Sequence, residues 1–207
     1  FKRWGIKMPK ILIATKNPGK VREYRKIFEP KGFEVTTLLD LDADQVPAID
    51  ENGSSFAENA LIKANALMNV THATVLADDS GLCVDALNGV PGIHSARYAG
   101  DHDDVANRKK LLEALKGVPA DKRTAHFHTS IVVVHPDKAP LEVSGEAFGR
   151  ILDHETGDDG FGYDPLFYSN DLQKSFAEVS VDEKNRVSHR GKAVKKLMAE
   201  FDNWWQD

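Results

Sequence analysis

Cysteine is nearly absent from this chain of 207 residues, with Cys83 standing alone. An internal disulfide is therefore excluded, and a reducing compartment is the expected setting. Positive charge is not in excess either: 27 lysines and arginines face 32 aspartates and glutamates, for a net charge of −5. That balance disfavours a general attraction to nucleic acid or anionic membrane, so any polyanion must meet a local cluster of basic residues. No apolar run approaches the roughly 18 residues of a membrane span. The opening FKRWGIK leads into no apolar stretch of the kind a secretory signal needs. Met8-Pro9-Lys10 runs straight into a strand pattern and is the expected start, making residues 1–7 an extension. Internal repeats and low-complexity tracts are missing too. What remains, 41% hydrophobic and 29% charged, is the composition of a folded globular protein and not of a disordered chain. A cytoplasmic location is expected.

The length suits one or two domains. Lys10–Thr15 reads as a buried strand, Val21–Phe28 as a helix, and Phe33–Leu38 as a second, alternating strand. Ser55-Phe-Ala-Glu58 matches a capping box, and the helix after it carries an apolar stripe of Ala57, Leu61, Ala64 and Met68. Asn59 and Lys63 share another face of that helix at i,i+4 spacing. Thr74–Ala77 reads as a short strand ending in Asp78-Asp79-Ser80-Gly81. A Gly/Pro-rich stretch leads to a helix over Val105–Lys116, stopped by Gly117. HFHTSIVVVH and LEVSGEAFGRIL predict a hairpin, and Ser188 is placed to cap a last helix from His189 to Trp204. Helices alternating with strands early, and a hairpin later, predict an α/β fold with a mixed sheet. Two lobes with a cleft between them are compatible with that order.

Four apolar residues run into Thr15, and Lys16-Asn17-Pro18-Gly19-Lys20 then opens a helix. The spacing matches neither G-x-x-x-x-G-K-[ST] nor G-x-G-x-x-G. Yet hydroxyl, amide and ammonium donors meet where a strand ends and a helix begins, a junction suited to an anion. A plain tight turn is the alternative. Asp78 and Asp79, neighbours on a strand, point to opposite faces. One can hold a hard divalent cation or polarise a water while the other anchors the chain. Mg²⁺ prefers one or two carboxylates completed by phosphates and water, and Glu51, in the loop before the capped helix, could reach the same ion. An ordinary Asp-Ser-Gly turn is the competing reading. His189 and Arg190 fall in the first turn of the last helix, where the dipole disfavours cations, a penalty that a bound anion would remove. The loop GFGYDP offers two aromatics and an aspartate, suited to sandwiching a planar base or to anchoring the loop in the core. His126, His128 and His135 lie on a strand beside no cysteine, so a zinc site is discounted. Together these are the parts of a nucleoside triphosphate site.

Five stretches, ATKNPGKVREY, SFAENALIKA, VLADDSGLCVDALNGVPGIHSARYAG, GFGYDPLF and SHRGKA, resemble in order the motifs of the inosine triphosphate pyrophosphatase family. These are the house-cleaning dITP/XTP pyrophosphatases of bacteria. The resemblance runs from Lys10 into the last helix. It implies an elongated mixed central sheet flanked by helices, two lobes around a substrate cleft, one catalytic domain over residues 8–207, and a homodimer. The implied reaction hydrolyses dITP, ITP and XTP to the monophosphate and pyrophosphate with Mg²⁺, with no part for nucleic acid or membrane. By motif, Thr15, Lys16, Asn17, Pro18, Gly19 and Lys20 would hold the triphosphate, joined by Lys63. Asp79 resembles the family's proton acceptor and metal ligand, Ser80 would touch substrate, and Glu51 resembles a second metal ligand. Phe161, Gly162, Tyr163, Asp164, Lys184, His189 and Arg190 would surround base and sugar. Lys16 stands where many members carry Gly, HETGDD replaces the more usual Pro/Arg-containing run, and AIDENGSSF aligns only loosely. Two rivals compete. A Maf-like pyrophosphatase of other base specificity is opposed by SHRGKA and GFGYDPLF. A nucleotide sensor without turnover would have no need of Asp79, Lys20 and Lys63 together.

Overall fold

The computed structural model describes residues 7–207; residues 1–6, and with them most of the expected extension, lie outside the described residues. The strands β1 (Lys10–Ile13), β2 (Glu34–Thr37), β3 (Thr74–Val84), β4 (Thr124–His135), β5 (Lys138–Ile151), β6 (Phe167–Ser169) and β7 (Lys174–Ser175) form one sheet. Their order is β2-β1-β3-β4-β5-β6-β7. β1 is parallel to β2 and β3, and every later neighbour is antiparallel, which makes the mixed α/β sheet that the element order predicts. The helices are α1 (Pro18–Phe28), α2 (Phe56–Thr71), α3 (Asp104–Ala114), α4 (Val181–Val187) and α5 (His189–Gln206).

The length of β3, β4 and β5 draws the molecule out, because each extends past the short strands beside it. At the β1–β2 end, α1 and α5 cover one face through Tyr24, Phe28 and Phe201, with Phe33 packed among them from the segment before β2. There α2 covers the other face, pressing Ala60, Ala64 and Leu67 onto Leu12, Val75 and Val132. At the far end, Phe127, Phe167, Phe176 and Leu111 form a separate core beneath α3 and β6. Each fully buried Phe contributes roughly 1.5–3 kcal/mol of apolar transfer, so both ends carry their own anchor.

Several expectations need correction. β3 does not stop at Ala77: Asp78 to Val84 continue it, paired with β4 from Asp78↔Ile131 to Val84↔Ala125. Gly81 is needed there because a Cβ would lie 2.3 Å from the Gly92 carbonyl oxygen, not because the chain turns. The buried stripe of α2 is Ala60, Ala64 and Leu67, while Ala57, Leu61 and Met68 are only partly covered. Ser55 Oγ caps the Glu58 N–H at 3.1 Å, but the Glu58 carboxylate returns to the Ser54 N–H and hydroxyl instead of closing a box on Ser55. α1 begins at Pro18, three residues early, because Asn17 caps it and Pro18 is pre-set for the first helical turn. The hairpin β4–β5 and the Ser188-capped α5 are found as predicted. α4, just before α5, has no counterpart in the sequence pattern analysed above.

Candidate active site

β3 overshoots β1. Ile13, the last residue of β1, lies opposite Leu76, so Asp78, Asp79 and Ser80 extend beyond it to the level of the loop that leads into α1. The loop expected to hold phosphate is organised by its own side chains. Asn17 Oδ1 accepts from Gly19 N at 2.9 Å and Lys20 N at 3.3 Å, and Thr15 Oγ1 accepts from Asn17 N at 3.1 Å. The first amides of α1 are thus capped by Asn17 and are not open, as the junction alone suggests. Lys20 turns inward instead. Its Nζ donates to Asp78 Oδ1 at 2.9 Å, while the buried Tyr24 hydroxyl stands 3.5 Å from Asp78 Oδ2. Burial alone would raise the pKa of Asp78. The Lys20 ammonium outweighs it, with Arg190 and Lys63 nearby, and holds the carboxyl below the usual carboxylate range.

Asp79 faces the opposite side of the sheet, toward α2. Lys63 Nζ donates to the Asp78 backbone oxygen at 3.2 Å and lies 3.1 Å from Glu51 Oε1. The approach angle to Glu51 is too poor for a hydrogen bond, so Oε1 remains buried and unpartnered. Burial, and then the Glu51 charge, push the Asp79 carboxyl up to about 6, against the lowering pull of Lys63, Asn59 and the Ser80 N–H. Asn59 is 3% exposed and accepts from Gly53 N at 2.8 Å, which ties the Glu51 loop to α2. Asp79 and Glu51 place two carboxylates beside the single Lys63 ammonium, and Glu51 Oε1 has no hydrogen bond among the described residues. Those two carboxylates fit a hard divalent cation. Among the described residues no three His, Cys, Asp or Glu side chains converge into a metal cage. A two-carboxylate set is what Mg²⁺ accepts when phosphate and water complete its shell.

The start of α5 explains its cations without an anion. His189 is buried against Phe127, ring centroids 4.7 Å apart, and burial with help from Lys184 and Arg190 pushes it down to about 3. It is neutral at pH 7. Arg190 Nη1 donates to Glu23 Oε2 at 2.5 Å and its guanidinium lies over the Tyr24 ring. A bound anion is therefore not the only way to relieve the dipole penalty at this end of α5. Even so, Arg190 Nε and Nη2 and His189 Nδ1 are buried with no hydrogen-bond partner among the described residues.

The loop before β6 divides its two aromatics. Tyr163 is 6% exposed, and its hydroxyl donates to the Ser95 carbonyl at 2.7 Å. It anchors the loop in the core and does not sandwich a base. Phe161 is 75% exposed, with Lys184 Nζ 4.4 Å over its ring. Asp164, 3% exposed, accepts from Phe161 N at 3.0 Å and from Lys184 Nζ at 2.5 Å.

The residues singled out from sequence thus fall into three groups: Lys20 beside Asp78, Lys63 and Glu51 beside Asp79, and Lys184, Asp164 and Phe161 in one bonded set. Ser80 Oγ accepts from the buried Thr129 hydroxyl at 3.1 Å, which leaves its own proton free to donate. Lys16 and Pro18 are exposed on the loop. Sequence reasoning missed Glu23, Tyr24, Asn59 and Thr129. Only Asn59 carried a usable signal, its i,i+4 spacing from Lys63. A hollow of about 630 Å³ beside Phe148, Lys192 and Lys196 lies apart from these groups. Chemistry, not concavity, marks the site.

Comparison with known proteins bears on what this arrangement does. The family model described as the Ham1 family matches residues 11–200. The chain is 51% identical over 195 residues to a dITP/XTP pyrophosphatase of Lactiplantibacillus plantarum, covering 94% of this chain and 96% of that protein. It is 47% identical over 201 residues to a dITP/XTP pyrophosphatase of Bacillus cereus, covering 96% and 97%. The solved structure of the Staphylococcus aureus Ham1 protein matches with a TM-score of 0.88 at 40% identity, over 94% of this chain and 98% of that one.

Proposed function

The chain belongs to the Ham1 family, and from that premise we propose how its cleft works as a nucleoside triphosphate pyrophosphohydrolase. The reaction is hydrolysis of dITP, ITP and XTP to the monophosphate and pyrophosphate. The observation that carries the reading is the split of Asp78 and Asp79 across β3. One carboxylate is spent on a phosphate-loop lysine, and the other is left basic beside Glu51.

In this reading Thr15 to Lys20 and Lys63 meet the triphosphate. Glu51 and Asp79 would hold Mg²⁺, which would supply concentrated positive charge to the phosphate oxygens. Asp79, ionised at neutral pH yet basic, takes the proton of the water that attacks the α-phosphorus. The bond from that phosphorus to the bridging oxygen breaks, and pyrophosphate leaves with its growing charge offset by Lys20 and Lys63. Ser80 donates its hydroxyl proton to a substrate oxygen. At the other end of the cleft Phe161 stacks on the base, with Gly162, Asp164 and Lys184 around it and Tyr163 holding the loop from below. In this reading the unpartnered nitrogens of Arg190 and His189 serve the base, where a 6-oxo group accepts from Arg190 and a 6-amino group cannot. A site whose buried donors go unpaired with adenine should reject it strongly.

Residues 8–207 act as one catalytic domain, a reading supported by the single sheet that the three buried clusters share. The motif resemblance supports a homodimer. The lone cysteine favours a reducing, cytoplasmic setting, and the net charge of −5 speaks against nucleic acid as a partner.

The test is a panel of dITP, XTP, dGTP, dATP and dTTP with and without Mg²⁺. Pyrophosphate should be released from dITP and XTP only with the cation, and slowly from the others. Orthophosphate as the first product would mean attack at the γ-phosphorus and would sink this mechanism.

A further inference from the structure

Gly162 sits in the left-handed region, φ 61°, and both of its backbone groups are gripped by one helix. Its N–H donates to Asp104 Oδ2 at 3.0 Å, and its carbonyl accepts from Arg108 Nη1 at 2.8 Å. Asp104 and Arg108 are four apart on α3, so they rise from the same face one turn from each other. Arg108 Nε also donates to Glu155 Oε1 at 2.5 Å, which braces the guanidinium at a second point. Between them Asn107, 2% exposed, accepts from the Ala99 and Gly100 amides and donates to the Ala96 carbonyl. The helix that grips the loop is therefore itself pinned.

Phe161 is what this grip controls. It lies between Gly160, φ 78°, and Gly162, both in conformations that place no steric limit on neighbouring torsions. Most of its ring is in solvent, with the Lys184 ammonium over it, so apolar packing contributes little to holding it. Its orientation depends on its backbone, tied on one side by the Phe161 N–H to Asp164 and on the other by the clamped Gly162. We propose that Asp104 and Arg108 are positioning residues for base recognition, holding Gly162 so that Phe161 is presented to the purine in one orientation. The inference rests on the base-facing reading of this loop. Neither residue reaches the reacting phosphates, so their effect belongs in KM and base preference and not in the chemical step.

The test compares Asp104→Ala, Arg108→Leu and the conservative Asp104→Asn, which keeps an acceptor for the Gly162 N–H. Thermal unfolding first verifies that each variant folds. Steady-state kinetics on dITP and dATP, with amide exchange at Gly162, then read the effect. Asp104→Ala and Arg108→Leu should raise KM for dITP roughly 10-fold, as loss of one charge-assisted bond would. kcat should stay close to wild type, the dITP/dATP preference should shrink, and Gly162 exchange should accelerate in Asp104→Ala. Asp104→Asn should recover most of the KM and the protection. An unchanged KM, a loss confined to kcat, or equal losses on dITP and dATP would overturn the proposal. Phe161→Ala separates the two levels. If it leaves KM and preference untouched, the base-facing reading fails and takes the clamp with it. If it damages both while the clamp variants do not, only the clamp fails.

Discussion

Asp78 and Asp79 stand one position apart on β3, and the face each occupies sorts their acidities. Asp78 meets the Lys20 ammonium and stays ionised, while Asp79 is desolvated beside Glu51 and is pushed up to about 6. The second shift has a stability consequence. With a folded value near 6 against 3.8 unfolded, Asp79 favours the folded state fully only below about pH 3.8, and that contribution is lost as pH rises through 6. At pH 7 its charge therefore costs about 2 kcal/mol, allowing for partial exposure. Asp79→Asn should lower kcat by roughly 10²-fold or more, since the proton acceptor is gone. In EDTA at pH 7 the same variant should melt several degrees higher than wild type, and the gain should vanish by about pH 4. Unfolding scans from pH 4 to 7 measure this, and a variant less stable at pH 7 would refute the charge argument. Glu23 illustrates what could not be read at this scale: its partner Arg190 is 167 positions away.

At the scale of elements, the close approach of β5 and α5 decides where His189 and Arg190 sit. A Cβ on Gly145 would lie 2.2 Å from the His189 carbonyl oxygen and 2.5 Å from Ala193 N, both backbone atoms that cannot swing aside. Gly145→Ala should therefore cost about 2–3 kcal/mol, read as a lowered urea midpoint with an unchanged slope. It should also weaken discrimination of dITP from dATP by shifting His189 and Arg190 off β5. Wild-type stability in that variant would show that the helix has room to move. α5 and the β4–β5 hairpin were legible because capping and side-chain alternation are local signals. The second half of β3 was not, because Asp-Asp-Ser-Gly has turn composition and only pairing with β4 keeps it extended. α4 was illegible for its length: seven residues carry too little periodicity, although Ser180 does cap it.

At the scale of the whole molecule, one sheet carries three buried clusters among the described residues, two on opposite faces at the β1–β2 end and one at the far end, and the candidate site lies along the strands that join them. The chain should sediment at micromolar concentration with a mass near twice its 22.9 kDa. A mass near the single-chain value would refute the dimer. Many of the residues that the structure brings together were marked before the fold by residue type and spacing: the loop of Thr15 to Lys20, the aspartate pair and the Lys184–Arg190 region. Tyr163 was not separable from Phe161, because two aromatics in one loop look alike until the Ser95 carbonyl takes the hydroxyl of one and solvent surrounds the other.

By itself the sequence determined the mixed α/β class, the hairpin, the capped helices and the inventory of charged groups, because these follow from periodicity and contacts within about one helical turn. The tertiary structure alone decided which aspartate binds Lys20 and which stays basic, that His189 is neutral, that Arg190 is countered by Glu23, and that Gly162 is held by α3. Burial and charge pairing depend on neighbours in space. For Asp78, Gly162 and Arg190 those neighbours lie 54 to 167 positions away, at distances that no local pattern encodes.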